Sequence, residues 1–192
     1  MPTYPQETDR YNLQPKKFIV WLFMISSFIF FAGLTSGFIV YSGDNLAKQL
    51  NVKMPDVFIL STILVVASSI TLQWAYMQTK RLNFAKQRLG LWLTIILGLG
   101  FTFSQLYGWV ILTGLGAFFT SSNASISFIY VFTLFHILHI IAGLFLIVGA
   151  IVSSYKAVPN VLNIFRMEIS IVFWHFVDIL WIYLYVFLLL NQ

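Results

Sequence analysis

The 192-residue chain contains no cysteine. Thiolate metal sites, iron–sulfur clusters and disulfides are therefore excluded. Charge is almost as scarce, at 9% of residues against roughly 25% in ordinary soluble domains. The net charge of +5 raises the question of nucleic acid. The basic residues are too few for that, and they sit between apolar runs, where they read as topology signals. A leader pattern is also missing: residues 1–17 are polar and carry Pro2, Pro5 and Pro15. The first apolar run is therefore expected to stay in the mature protein. No internal repeat, low-complexity tract or loop long enough for a second domain is visible.

What the chain has is apolar surface, with 59% hydrophobic and 18% aromatic residues. A spanning helix needs about 20 mostly apolar residues. Five such runs occur, at about 18–42, 56–78, 89–113, 127–153 and 168–190. Their hydrophobicity is continuous rather than alternating, which favours helices over barrel strands. The expected fold is an all-α integral membrane bundle of five transmembrane helices, in a domain over 18–192 preceded by a polar tail over 1–17. Pro55 precedes the second run, where a missing N–H does no harm. Arg10, Lys16, Lys17, Lys80, Arg81, Lys86, Arg88, Lys156 and Arg166 fall on one side, and only Lys48 and Lys53 on the other. The positive-inside rule then predicts a cytoplasmic N-terminus and an outside C-terminus. Trp21, Trp74, Trp92 and Trp109 lie near run ends, as an interfacial belt requires.

The interior is expected to be polar. The last run carries His175 and Asp178, and an ionisable group at mid-membrane costs about 2.5–3.5 kcal/mol on insertion scales. Glu168, His175, Asp178 and Tyr185 fall on one helical stripe, with Trp181 beside it. In the fourth run Thr133, His136, His139 and Gly143 share a face. The third offers Thr94, Gly98, Thr102 and Gln105 at helical spacing. Small and hydroxylated residues let helices approach and hydrogen-bond in lipid. At 1.5 Å rise per residue Asp178 lies roughly 15 Å from the cytoplasmic edge, level with His139. Asp178 is accordingly expected to pair with His139 or His136, and its replacement by Leu to damage the bundle.

Three histidines among carboxylates also invite a haem or metal reading. His136 and His139 share one helix face, so they cannot be the two axial ligands of one haem. The Glu-x-x-His motif of di-iron bundles is missing, and nothing marks an open zinc site. A stand-alone pump or channel would need a spaced chain of acids, whereas Asp178 is the single mid-membrane carboxylate. A secondary transporter would show inverted repeats and broken helices, and neither is present. A structural polar network of Gln105, His136, His139, Glu168, His175 and Asp178 accounts for the pattern most simply.

From about residue 18 onward the chain resembles subunit III of haem-copper terminal oxidases. WHFVDILWIYLY, residues 174–185, is similar to that family's closing-helix signature. FHILHIIAGLFLIV, residues 135–148, resembles its paired-histidine helix, and Glu168 matches a glutamate before the last signature. LTIILGLGFTFSQ, residues 93–105, and STILVVASSITLQWA in the second run also match. Three departures stand out. The two N-terminal helices of the seven-helix members have no counterpart, as in shorter bacterial forms. Ser27 occupies a position where the family often has a carboxylate, and Gly108 replaces a glutamate common after Gln105. Any proton-uptake role or inhibitor reactivity of those carboxylates cannot be carried over.

The resemblance implies a non-catalytic subunit that supports stability, lipid binding and proton uptake of a catalytic partner, within a proton-translocating complex that reduces oxygen to water. It implies no catalytic, cofactor-binding or metal residue in this chain, since haem and copper belong to the partner subunits. The implied partners are catalytic subunit I, subunit II and bound phospholipid, in a bacterial plasma membrane and within a possible respiratory supercomplex. The alternatives are subunit III of a quinol oxidase, or a haem- or metal-binding membrane redox protein. The subunit interface is expected on span one with part of span two, where Gly33, Ser36 and Gly37 allow close approach.

Overall fold

The computed structural model describes residues 13–43, 55–120, 124–156 and 159–191. Arg10, Lys48 and Lys53, three of the residues used for the topology argument, lie outside that set, as does most of the expected polar tail. The described residues form five long helices: α1 (Leu13–Ser42), α2 (Val57–Lys80), α3 (Phe84–Gly114), α4 (Ala124–Tyr155) and α5 (Asn160–Leu190). All five are long and apolar enough to cross a membrane. In hydrocarbon every backbone N–H and C=O must be satisfied within the segment, which helices achieve.

Each helix outruns its apolar core at one end or both. α1 starts at Leu13, so Pro15 lies in its first turn, where its N–H would have had no intrahelical acceptor. Glu168 was expected near the start of the last helix, but α5 begins at Asn160, two turns earlier.

The two ends of α3 show how the turns are made. After α2, Leu82 adopts a left-handed backbone with φ of 57°, and the Asn83 N–H closes on the Gln78 carbonyl at 3.0 Å. The Asn83 side chain then caps α3, accepting from the Lys86 N–H at 3.3 Å. After α3, Gly116 takes the same role with φ of 80°, and the Ala117 N–H closes on Leu112 at 3.0 Å. Both are helix-ending motifs that need positive φ, which glycine adopts at little cost.

α2 and α3 form a tight antiparallel hairpin, and α4 and α5 a second that packs on the first. α1 lies outside, against α4 and α5. α5 is the central element: half of its most apolar stretch is buried, against 22% for α1. The outward faces stay apolar, with Phe18, Val40, Phe145 and Leu190 each more than 65% exposed. In water such surface would be an aggregation liability, whereas in lipid it is solvated. Trp21 and Trp92 are half exposed, as belt residues should be. Trp109 is half-buried, and its Nε1–H donates to Thr133 at 2.8 Å.

Candidate functional site

The centre of the bundle is Trp174. It is fully buried, and its ring lies between two glycines on neighbouring helices. A Cβ added at Gly98 would sit 2.9 Å from Trp174 Cη2, and one at Gly143 would sit 2.9 Å from Cε3. The indole Nε1–H donates to the Ser68 hydroxyl at 2.9 Å. One side chain of α5 thus fixes α2, α3 and α4 together. Two turns on, Trp181 repeats the device, donating to Thr62 at 3.1 Å and meeting Phe101 edge-on at 5.0 Å between ring centroids. An indole inside a bundle keeps an N–H that must find an acceptor, and the serines and threonines of α2 supply it. Sequence reasoning had placed Trp181 only beside the polar stripe and had given Trp174 no role. The available signal was the Ser61–Thr62 and Ser68–Ser69 pairs, which recur two turns apart.

The six residues expected to form one network are instead distributed over separate contacts. Glu168 lies at the basic end, where it pairs with Lys17 Nζ at 3.4 Å and accepts from the Tyr76 hydroxyl at 3.4 Å. His139 turns to α1, with Nε2 3.0 Å from Ser27 Oγ and Nδ1 2.7 Å from the Phe135 carbonyl. Ser27, standing where relatives were expected to carry a carboxylate, therefore still serves the histidine. His175 turns to α2, where Nδ1 meets Ser69 Oγ at 2.5 Å and Nε2 meets Gln73 Oε1 at 3.3 Å. The polar atoms of Gln105, His136 and Asp178 are buried and bond to no protein group.

The pairing of Asp178 with a histidine is thus corrected. The difference lies in azimuth. His139 and His136 are three residues apart, which separates them by about 60° around the helix axis. That angle is enough to send His139 towards α1 and His136 between Phe101 and Trp181, with ring centroids at 5.5 and 5.1 Å. Asp178 points instead towards α2, beside the Ser69 hydroxyl. Gln105 lies on α3 between two contacts to α4, Phe101–His136 and Trp109–Thr133.

Gly33, Ser36 and Gly37 are exposed. Nothing lies within 4 Å of a Cβ added at Gly33, and only the Phe128 ring edge approaches one at Gly37. The polar contacts that hold α1 to the rest include Lys17–Glu168, Ser27–His139, Thr35–Tyr183 at 2.8 Å and the Ala124 N–H to the Tyr41 hydroxyl at 3.3 Å. It makes no substantial contact with α2, so a partner covering both would have to pass over α5. Beside α1 an apolar groove of about 500 Å³ runs past Trp21, Ile25, Phe28, His175 and Ile179. A second pocket, of about 250 Å³ between Leu13, Lys17, Phe165 and Glu168, extends it to the basic end. Among the described residues no three His, Cys, Asp or Glu side chains converge.

The cytochrome c oxidase subunit III family model matches residues 11–191. The chain belongs to that family. It is 28% identical over 187 residues to cytochrome c oxidase subunit 3 of Bacillus subtilis, covering 95% of this chain and 90% of the relative. Subunit 3 of Bacillus sp. strain PS3 is 29% identical over 190 residues, with the same coverage. The cytochrome bo(3) ubiquinol oxidase subunit 3 of Buchnera aphidicola is 31% identical over 175 residues, covering 88% of each. The chain is a multi-pass membrane protein with the subunit III role of a haem-copper oxidase complex.

Proposed function

We propose that this subunit III is non-catalytic and serves as a packed lateral support for the catalytic subunit of a respiratory oxidase in a bacterial plasma membrane. Electrons, haem and copper stay in the partner subunits I and II. The observation that carries this reading is how the interior polar groups are used. The three histidines turn to three different surroundings, Ser27, Ser69 with Gln73, and the Phe101–Trp181 pair. That arrangement serves helix packing and offers no common centre to a metal ion or haem iron.

The catalytic partner is assigned to the outer face of α1, where Gly33, Ser36 and Gly37 leave the backbone open. A phospholipid is assigned to the groove between α1 and α5, its acyl chain against Phe28 and Ile179 and its headgroup near Lys17 and Glu168. The positive-inside bias puts that headgroup in the cytoplasmic leaflet. The test is to purify the tagged chain from its host in mild detergent, alone and in complex. The complex should carry haem absorbance and consume oxygen, and the isolated chain should do neither. Stoichiometric iron or copper on the isolated chain would overturn the proposal.

The relatives include both a cytochrome c oxidase and a ubiquinol oxidase. The donor is therefore assigned by supplying the purified complex with reduced cytochrome c or with quinol. Activity with quinol alone would identify the quinol form.

A further inference from the structure

A pocket of about 570 Å³ opens at the basic end of the bundle where α3, α4 and α5 meet. Its lining includes Arg88, Ser153, Lys156, Pro159 and Asn160 and, among the described residues, no carboxylate. Arg88 is anchored but not neutralised. Its Nε donates to Ser154 Oγ at 3.2 Å, its Nη2 donates to the Ser154 carbonyl, and its guanidinium lies 4.0 Å over the Tyr155 ring. A guanidinium has five N–H donors, so three remain, and among the described residues neither Arg88 nor Lys156 has an ion-pair partner.

α5 begins in the same pocket. Its N-cap is Pro159, which offers no side-chain cap, and its first turn holds no acid. Among the described residues the backbone N–H groups of Asn160 and Val161 have no acceptor, and they lie at the positive end of a 31-residue helix.

An independent observation points the same way. Ser153, only 1% exposed, is a lining residue of the pocket, and its buried hydroxyl bonds to nothing in the protein. Its neighbour Ser154 donates back to the Ile151 carbonyl at 3.0 Å, and Ser170 donates to Arg166 at 2.8 Å. Ser153 alone of these three leaves its donor unused, although an unmade buried hydrogen bond is costly. Guanidinium, ammonium, hydroxyl and helix N-terminus together match the acceptors of a phosphate group. Asn163, which also lines the pocket, is turned towards Gln87, with which it exchanges two amide hydrogen bonds at 3.2 Å.

We propose that this pocket binds phosphate, carried on an anionic phospholipid headgroup or free in solution. The assignment uses residues of this chain only and does not rest on the oxidase reading.

The test uses the full chain in a non-ionic detergent and measures affinity for two probes, dioctanoyl phosphatidylglycerol and inorganic phosphate. Saturable binding of either supports the site. Preference for the lipid identifies a headgroup as the source, and preference for the free ion identifies a soluble anion. Arg88→Gln should weaken binding about tenfold, the loss expected for a charge-assisted contact. Ser153→Ala and Lys156→Gln should each weaken it about threefold, and they keep the test open if Arg88→Gln fails to fold. Lys80→Gln should leave it unchanged, since Lys80 lies over the Tyr76 ring. Binding of neither probe overturns the site, as does unchanged affinity in the pocket variants or an equal loss with Lys80→Gln.

Discussion

Trp174 is held between two glycines on neighbouring helices, and they make its packing testable. A methyl group at residue 143 would lie 2.9 and 3.0 Å from the indole and 3.3 Å from Phe173. The ring has no room to retreat, because Gly98 closes its other side. Gly143→Ala is therefore expected to destabilise the chain by about 1–3 kcal/mol, the usual cost of overpacking. Gly33→Ala, with nothing within 4 Å, should be neutral. Thermal unfolding in detergent, followed by tryptophan fluorescence, separates the two, and equal midpoints would refute the clamp. Trp174→Ala should cost about 3–5 kcal/mol as a large-to-small core change, whereas Trp174→Phe should lose only the weaker part. Hydrogen bonds inside membrane bundles average about 0.6 kcal/mol, and Ser68 keeps its bond to the Val65 carbonyl at 2.6 Å.

The five helices were legible because run length and low charge are set by bilayer thickness, which acts on every residue of a span alike. Their ends were not. α1 and α5 extend several residues beyond the apolar runs because a helix continues through the headgroup layer until a turn stops it. Those turns follow local backbone chemistry rather than hydropathy. The turn after α2 places a leucine at positive φ where its counterpart after α3 has glycine. A branched side chain there is strained relative to glycine. Leu82→Gly is accordingly expected to raise stability by a few tenths to about 1 kcal/mol, although glycine freezes more entropy on folding. An unchanged or lowered unfolding midpoint would show that the exposed Leu82 side chain contributes packing in lipid. The contacts of the polar residues were also only half legible. Helical spacing shows which residues share a helix face. The rotation of each helix about its own axis is set by bulky partners such as Trp174 and Phe101, and no spacing rule supplies it.

At the scale of the molecule, that rotation changes the sign expected for Asp178. A carboxylate paired with a histidine would stabilise the bundle, and its loss would leave a partner stranded. Asp178 is 4% exposed, and its oxygens have no hydrogen-bond partner of good geometry, so its desolvation outweighs the contribution of the neighbouring Ser69 hydroxyl. Asp178→Leu should therefore leave the isolated chain as stable or more stable, contrary to the expectation from sequence. Gly37→Leu, on the open face of α1, should leave the isolated chain unchanged and weaken its association with the catalytic subunit. Unfolding midpoints of the isolated variants, read beside their yield in co-purified complex, distinguish a residue that holds the bundle from one that faces a partner. A lower midpoint for Asp178→Leu would restore a structural role for the carboxyl. Full co-purification of Gly37→Leu would move the interface off α1. Other exposed candidates then include the outer faces of α2 and α3, where Ile63, Ile70, Ile96 and Phe103 are each at least 60% exposed.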